Sequence, residues 1–305
     1  MPAIPLSFLG LGSMGLPMAS NLIDQGFPLT VYNRSKGRAG ALAARGAVEA
    51  ATPRDSVQPG GTAITMLAND LALEHVCLGE QGLLARLGRG GLHISMSTVS
   101  PETSRRLAKA HAEAGCAFIA APVFGRPEAA AARKLWICQS GPADARQRAR
   151  PVLEALGQGV FDFGEEIGAA NVVKLCGNFL IMSAIEAMAE AMALGEKAGI
   201  GREELIGFFG QTVFNCPLYQ NYGRILAQRQ YEPAGFKLEL GMKDVRLVRE
   251  TAEQELVTMP LADLLHGRLL TSLAQGRYQM DWTAIELVTA QEAGLAPQVS
   301  SQAAH

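Results

Sequence analysis

One lysine lies within an apolar stretch of the chain, GAANVVKLCGN at residues 168–178, and an asparagine follows it by four residues. If the stretch is helical, Lys174 and Asn178 share one face, because residues at i and i+4 are neighbours on a helix. A buried ammonium group can polarise a carbonyl group and donate a proton to its oxygen, and burial lowers a lysine pKa toward the working pH. The lysine could instead extend to the surface or pair with a structural acid. The residue types alone leave both roles open.

A glycine-rich segment near the N-terminus has the spacing of a dinucleotide-binding loop. It matches G-x-G-x-x-G, follows a predicted strand and opens a predicted helix. Gly10 suits a tight turn, Gly12 lets the backbone approach a pyrophosphate, and Gly15 allows close packing of helix on strand. This context favours a dinucleotide over a tight turn without a ligand. The predicted cofactor loop consists of Gly10, Leu11, Gly12, Ser13, Met14 and Gly15.

The end of the second predicted strand bears on the choice between NAD and NADP. An NAD-binding protein usually has an acidic residue here for the ribose 2′-hydroxyl, whereas an arginine accommodates a 2′-phosphate. This chain has Asn33, Arg34 and Ser35 and no acid. The arginine can form a forked contact with phosphate, and its neighbours can donate hydrogen bonds. We therefore expect NADP(H) to be preferred over NAD(H), the alternative being that Arg34 is a solvated loop residue.

The elements that must position these residues fall into two groups. Over residues 1–165, short apolar runs alternate with amphipathic stretches, which predicts βαβ units and a mainly parallel sheet covered on both faces, with an antiparallel pair formed by the last strands. Over residues 166–292 the pattern is entirely helical and begins with a long helix at about 168–198. The fold class expected is therefore an α/β Rossmann-type domain followed by an all-α domain. Residues 293–305 read as a flexible tail.

Composition limits the possible partners. The chain has 305 residues, 48% of them hydrophobic, and a formal net charge of −2. The length favours two domains, and the near-neutral charge argues against nucleic acid or a membrane surface as partner. The longest uninterrupted apolar runs are shorter than the roughly 20 residues of a membrane span, and the N-terminus reads as a strand rather than a signal peptide.

The cysteines and histidines indicate a reducing compartment, hence a cytoplasmic location. None of the five cysteines forms a CxxC pair, and we expect them to be small buried residues. The five histidines are scattered, so no metal site is predicted.

Five segments, in this order, resemble the β-hydroxyacid dehydrogenase family over nearly the whole chain, to about residue 290: FLGLGSMGLPMASNL, MLAND, STVSP, GAANVVKLCGN and FKLELGMKDVRL. That family includes 3-hydroxyisobutyrate dehydrogenases and glyoxylate/succinic semialdehyde reductases, and it is related to 6-phosphogluconate dehydrogenase. Five motifs in order are more specific than any one of them.

The resemblance implies roles for individual residues. Lys174 would be the catalytic acid/base and Asn178 its orienting or substrate-binding neighbour. Thr98 would lie near the nicotinamide and substrate, and Phe236 would pack beside the substrate. The further cofactor contacts implied are Leu67, Ala68, Asn69, Lys243 and, as a supporting acid, Asp244. The reaction implied interconverts a hydroxy acid and a semialdehyde or keto compound.

One segment departs from the family pattern. Many members carry D-A-P-V-S-G-G after the STVSP helix, and its serine and glycines hold the substrate carboxylate. This chain has Ala120-Ala121 followed by the expected substrate-binding residues Pro122, Val123, Phe124, Gly125 and Arg126. Phe124 cannot donate a hydrogen bond, whereas Arg126 could supply a charged fork or be solvated. The usual substrates are therefore in doubt, and a bulkier carbonyl compound or an imine becomes possible.

Two alternative functions stay open. Imine reductases share the two-domain plan but generally lack the lysine that this chain keeps. A non-catalytic NADP-binding scaffold or sensor would have no need of a buried ammonium group. The apolar excess of the long helix further predicts a homodimer or higher homo-oligomer.

Overall fold

The computed structural model describes residues 5–295. Its strands are β1 (Leu6–Leu9), β2 (Leu29–Tyr32), β3 (Val48–Glu49), β4 (Thr62–Thr65), β5 (Leu92–Ser95), β6 (Ala117–Ala120), β7 (Val123–Phe124), β8 (Leu135–Gln139) and β9 (Gly157–Asp162). Its first eight helices are α1 (Gly15–Asp24), α2 (Gly40–Ala43), α3 (Pro53–Ser56), α4 (Asp70–Cys77), α5 (Leu84–Leu87), α6 (Pro101–Glu113), α7 (Pro127–Ala131) and α8 (Ala143–Leu156). They are followed by α9 (Ala169–Lys197), α10 (Arg202–Gln211), α11 (Pro217–Gln228), α12 (Leu238–Gln254), α13 (Pro260–Ala274), a 3-10 helix (Trp282–Ile285) and α14 (Glu286–Glu292).

A six-stranded parallel sheet with the order β3-β2-β1-β4-β5-β6 confirms the predicted fold class. Alternate residues of its strands enter two separate apolar clusters, as expected for a sheet covered on both faces. Phe8 and Ile64 belong to one cluster, whereas Leu9 and Ala63 belong to the other. The strand order reverses between β1 and β4, and open α/β sheets bind ligands at such a point, outside the carboxyl ends of the strands.

The last three strands form a second, smaller sheet with the order β7-β8-β9. The antiparallel pair expected among the last strands is formed by β7 and β8, whereas β8 and β9 are parallel. Helix α8 lies between them in sequence and provides the crossover that a parallel pair requires. The antiparallel partner of β8 is β7, whose two residues are too few to give a sequence pattern.

The chain divides into two compact units after Lys174, and no strand occurs in the described residues after that point. The long helix expected over residues 168–198 is α9. In the second unit, an apolar cluster built on residues of α9, α12 and α13 includes Met182, Met242 and Leu265. Of the expected tail, residues 296–305 lie outside the described residues.

Helix α9 meets the length and composition criteria of a membrane-spanning helix, although only 44% of its most apolar 18-residue window is buried. The sequence argument from uninterrupted apolar runs overlooked this helix, because single polar residues divide its apolar residues into short runs while the average hydropathy stays high. A single helix of this kind is weak support for a membrane location, since core helices of soluble proteins meet the same criteria.

The cysteines differ in burial more than expected. Cys77, Cys116 and Cys138 are buried, and burial raises the pKa of each thiol. Cys176 and Cys216 are exposed, so the expectation that all five are buried was wrong. A small residue on a helix gives no periodicity of its own from which its exposure could be predicted.

Two histidines distant in sequence meet in the core of the first unit. His93 Nδ1 lies 2.9 Å from His111 Nε2, His93 Nε2 lies 3.0 Å from Thr65 Oγ1, and His111 Nδ1 lies 2.6 Å from the Leu107 carbonyl oxygen. Cys77 Sγ is 3.8 Å from His93 Nδ1. The cysteine and the two histidines have the types and proximity of metal ligands. However, all four ring nitrogens of the two histidines already have hydrogen-bond partners. The two rings therefore form part of a hydrogen-bonded chain as neutral imidazoles.

Burial explains why these imidazoles are neutral. It lowers the pKa of His111 to about 4, and burial together with the neighbouring His111 lowers the pKa of His93 well below its usual range. Below about pH 6.5 the unfolded chain therefore binds more protons than the folded chain, and stability falls as the pH is lowered.

We expect the free energy of unfolding to be about 2 kcal/mol lower at pH 5 than at pH 7 from the titration of His111 alone. The His111→Gln variant should lose that part of the pH dependence, as measured by urea unfolding at each pH. His75→Asn, at an exposed histidine of α4, is the matched control and should keep the wild-type dependence. Equal slopes for wild type and His111→Gln would contradict the assignment.

Candidate active site

The glycine loop after β1 has the geometry that the sequence predicted. Gly10 has a φ of +104°, and a Cβ added there would lie 2.3 Å from the Met66 carbonyl oxygen. A Cβ at Gly15 would lie 1.9 Å from the Gly10 carbonyl oxygen, so neither position accepts a side chain. A Cβ at Gly12 would have no neighbour within 4 Å, which leaves its backbone open to approach. The loop leads into α1, so it fits a pyrophosphate at a helix N-terminus.

The residues after β2 divide into one that shapes the loop and two that are exposed. Asn33 accepts a hydrogen bond from the Leu11 backbone N–H at 2.9 Å and donates one to the Ser35 carbonyl oxygen at 2.9 Å. Its amide therefore ties the glycine loop to the end of β2. The side chains of Arg34 and Ser35 are exposed, as a contact to a ribose phosphate requires.

The loops after β4 and β5 are joined by hydrogen bonds. The Leu67 N–H donates to Ser97 Oγ at 2.8 Å, and the Ser100 backbone N–H and hydroxyl both donate to Asp70 Oδ1, at 2.9 and 2.7 Å. Ser97 is buried and was not among the predicted site residues, although it lies inside the STVSP motif. In the segment 67–69, Asn69 Oδ1 caps helix α4 by accepting a hydrogen bond from the Ala72 backbone N–H at 2.9 Å.

The first turns of α9 are fixed to the first unit by two polar side chains that sequence reasoning missed. Ser140 Oγ accepts a hydrogen bond from the Ala170 N–H at 3.0 Å and thus satisfies one backbone donor at the helix start. Asn171 Nδ2 donates to the Val99 carbonyl oxygen at 3.3 Å, next to Thr98. Asn171 Oδ1 is buried without a hydrogen-bond partner in the described part of the chain. The position of Asn171, about one helical turn before Lys174, was the feature of the sequence from which it could have been predicted as a site residue.

Close packing explains the glycine that precedes α9. A Cβ at Gly168 would lie 2.9 Å from Pro101 Cβ and 3.1 Å from an Arg105 guanidinium nitrogen. The absence of a side chain at Gly168 therefore permits close contact with α6. The Arg105 guanidinium also pairs with Glu166 at 2.6 Å, which fixes the entry into the helix.

Lys174 is buried, as the apolar stretch around it indicated, with 8% of its surface exposed. Its Nζ lies 4.0 Å from the centroid of the Phe124 ring. The ring packs against Ala120, Cys138 and Ala170. The structure therefore brings together the lysine and one of the residues that depart from the family pattern.

The other residues of the departing segment differ in burial. Pro122 and Val123 are buried, Gly125 is exposed and Arg126 is half-buried. Gly125 has a φ of +138°, and a Cβ there would lie 2.7 Å from Leu135 Cδ2, so the glycine is required by its backbone conformation.

The predicted residues of the second unit form a polar cluster of their own. Asn178 Nδ2 donates to Asp244 Oδ2 at 2.5 Å, and Lys243 Nζ pairs with Asp244 Oδ1 at 2.8 Å. Both Asn178 and Asp244 are buried. The carboxylate thus fixes the asparagine amide and the lysine together. Phe236 precedes α12, where its ring packs on Trp282 with centroids 4.7 Å apart.

Comparison with known families matches both parts of the chain. Residues 5–166 match the NAD-binding domain of 6-phosphogluconate dehydrogenase. Residues 168–289 match the NAD-binding domain of NADP-dependent 3-hydroxyisobutyrate dehydrogenase.

Individual proteins are similar over almost the full chain. An uncharacterised oxidoreductase, YfjR of Bacillus subtilis, is 44% identical over 92% of this chain and 98% of its own. An NAD-dependent L-serine dehydrogenase of Pseudomonas aeruginosa is 33% identical over 92% of this chain and 96% of its own. The solved structure of Psf3 in complex with NADP+ and 2-OPP has a TM-score of 0.83 at 26% identity, over 93% of this chain and 99% of that one.

The matched families, the relatives and the glycine loop at the sheet edge agree on a nicotinamide cofactor. The chain therefore belongs to the β-hydroxyacid dehydrogenase family and is an NAD(P)-dependent dehydrogenase acting on CH–OH groups.

Proposed function

We propose that the enzyme interconverts a small hydroxy acid and the corresponding semialdehyde or keto compound, prefers NADP(H), and uses Lys174 as the acid/base. The observation that supports this most directly is the burial of the Lys174 ammonium group on a helix whose first turns are fixed to the loop after β5. A buried ammonium group is rarely maintained for stability alone, because removing a charge from water is unfavourable.

Proton transfer is the part of the reaction that the chain itself must supply. The bound nicotinamide cofactor would give or accept the hydride. In the reducing direction Lys174 Nζ donates a proton to the carbonyl oxygen, and in the oxidising direction it takes the proton from the hydroxyl group. The rate of reduction therefore depends on the charged form of Lys174 and the rate of oxidation on its neutral form.

Asn178, one helical turn after Lys174, is held in a fixed orientation by Asp244. An amide whose Nδ2 donates to a buried carboxylate cannot flip without losing that hydrogen bond. We propose that this fixed amide orients the reacting groups, and that Lys243, which is paired with the same carboxylate, is the cofactor contact. The aldehyde or keto group remains the expected reacting group, whereas the chemistry of the substrate's other end depends on Phe124 and Arg126.

Replacing Lys174 by alanine is expected to lower kcat by about 10²–10⁴-fold, because that is the usual contribution of a general acid/base. NADPH oxidation at 340 nm against glyoxylate, succinic semialdehyde and methylglyoxal measures the loss, and cofactor fluorescence titration should show unchanged NADPH binding. Lys197→Ala, an exposed lysine of the same helix, is the control and should keep wild-type activity.

A Lys174→Ala variant with kcat within tenfold of wild type would remove the lysine from the mechanism. A cyclic imine included in the same panel tests the alternative reaction. Turnover of that imine above every carbonyl compound would identify an imine reductase instead.

For the cofactor, wild type should show a higher kcat/KM with NADPH than with NADH. Replacing Arg34 by glutamine should lower kcat/KM for NADPH by about tenfold or more, the usual effect of removing a charge-assisted contact to phosphate, with little change for NADH. Arg38→Gln, at an exposed arginine of the following turn, should change neither value. Equal use of both cofactors by wild type would overturn the preference.

We also propose that a second copy of the chain covers the exposed apolar residues of α9. Leu180 and Leu194 on this helix are 64% and 74% exposed, which is unfavourable in water. Light scattering at micromolar concentration should give at least twice the mass of one chain, and Leu180→Glu with Leu194→Glu should lower it. Leu256→Glu, at an exposed leucine outside α9, is the control, and a monomeric wild type would contradict the proposal.

A further inference from the structure

Phe124 stands at a position where many members of the family carry a serine. Its ring contacts the ammonium group of Lys174. The Lys174 ammonium nitrogen lies 4.0 Å from the ring centroid, within the range of a cation–π interaction. The two residues lie on different elements, β7 and the first turns of α9, so the contact is created by the tertiary fold and not by sequence proximity.

The ring is held in place from behind. Phe124 pairs with Trp136 across the antiparallel β7–β8 ladder, which fixes the backbone that carries it. Its side chain packs against Ala120 on β6, Cys138 on β8 and Ala170 on α9. The aromatic face therefore meets the ammonium group on a supported strand rather than on a free loop.

An aromatic face and burial act on Lys174 in opposite directions. Burial in an apolar environment favours the neutral amine, whereas the negative face of an aromatic ring attracts only the ammonium form. A serine at position 124 would present no such face. The ring therefore raises the fraction of charged lysine at any pH near its titration.

Other groups face Lys174 or lie near it. Cys138 is the thiol that faces the lysine from β8, and burial raises its pKa more than the Lys174 charge lowers it, which keeps the thiol neutral. On α9 itself Asn171 and Asn178 are uncharged amides. The charged groups at the edge of this region are Arg126, two residues beyond the ring, and the Arg105–Glu166 ion pair beside Gly168.

We propose that Phe124 is a positioning residue that holds Lys174 in its ammonium form and so extends carbonyl reduction to higher pH. This inference rests on the proposed role of Lys174.

The first test is the pH dependence of kcat for carbonyl reduction. Because reduction needs the charged lysine, activity falls on the alkaline side, and in Phe124→Leu the midpoint of that fall should move down by about 0.5–1 pH unit. Phe124→Tyr keeps an aromatic face and should keep the wild-type midpoint. Phe161→Leu, at an exposed aromatic residue of β9, is the control and should not move it.

The second test removes the electrostatic attraction without changing the fold. Incorporation of mono-, di- and trifluorinated phenylalanine at position 124 weakens the ring's negative face step by step at nearly constant size. The alkaline midpoint should then fall progressively with the number of fluorine atoms, whereas NADPH binding stays constant. This series remains decisive even if Phe124→Leu folds poorly, because a purely structural role would not depend on fluorination.

The outcomes separate this inference from the proposed function. An alkaline midpoint unchanged across the fluorinated series, with Lys174→Ala inactive, would overturn the role of Phe124 and leave that of Lys174 standing. An active Lys174→Ala would instead remove the proposed function on which the inference rests. A fluorine-dependent shift together with an inactive Lys174→Ala supports both.

Discussion

The buried ammonium group of Lys174 is the constraint around which this part of the molecule is arranged. Removing a charge from water is unfavourable, so the surrounding residues must offset that free-energy cost and hold the side chain in one position. Ser140 accepts a hydrogen bond from the backbone N–H of Ala170 in the helix that carries the lysine, and Asn171 of the same helix donates one to the loop after β5. These two hydrogen bonds hold the first turns of α9, and with them Lys174, against the loop after β5 and the end of β8.

The cofactor loop follows a different physical rule, that of close backbone approach. Gly10 and Gly15 have no space for a side chain because the neighbouring carbonyl oxygens occupy it, whereas the space at Gly12 is open. Asn33 then closes the loop from the end of β2 by accepting a backbone hydrogen bond. The loop is thus preorganised by the protein alone, which lowers the entropy that cofactor binding must overcome.

In the second unit, a single carboxylate organises the polar residues. Asp244 contacts both Asn178 and Lys243 and is itself buried, so removing it would leave two polar groups without their partner. A buried charge of this kind is tolerated only when it is paired and hydrogen-bonded. The adjacent position of Lys243 and Asp244 on α12 therefore reflects a structural requirement as well as the chemistry proposed for the lysine.

The sequence by itself determined the fold class, because the hydrophobic periodicity changes along the chain from alternating strands and helices to helices alone. It also determined the position of the glycine loop, in which Gly10 and Gly15 have no space for a side chain. Interactions between residues distant in sequence were decided only by the tertiary structure. His93 and His111 looked isolated along the chain, yet they form a hydrogen-bonded pair in the core. Phe124 looked like a lost hydrogen-bond donor, whereas the fold places its ring against Lys174, fifty residues later. Periodicity reports which face of an element is buried, but it carries no information about which side chains meet there, and that meeting decides the chemistry.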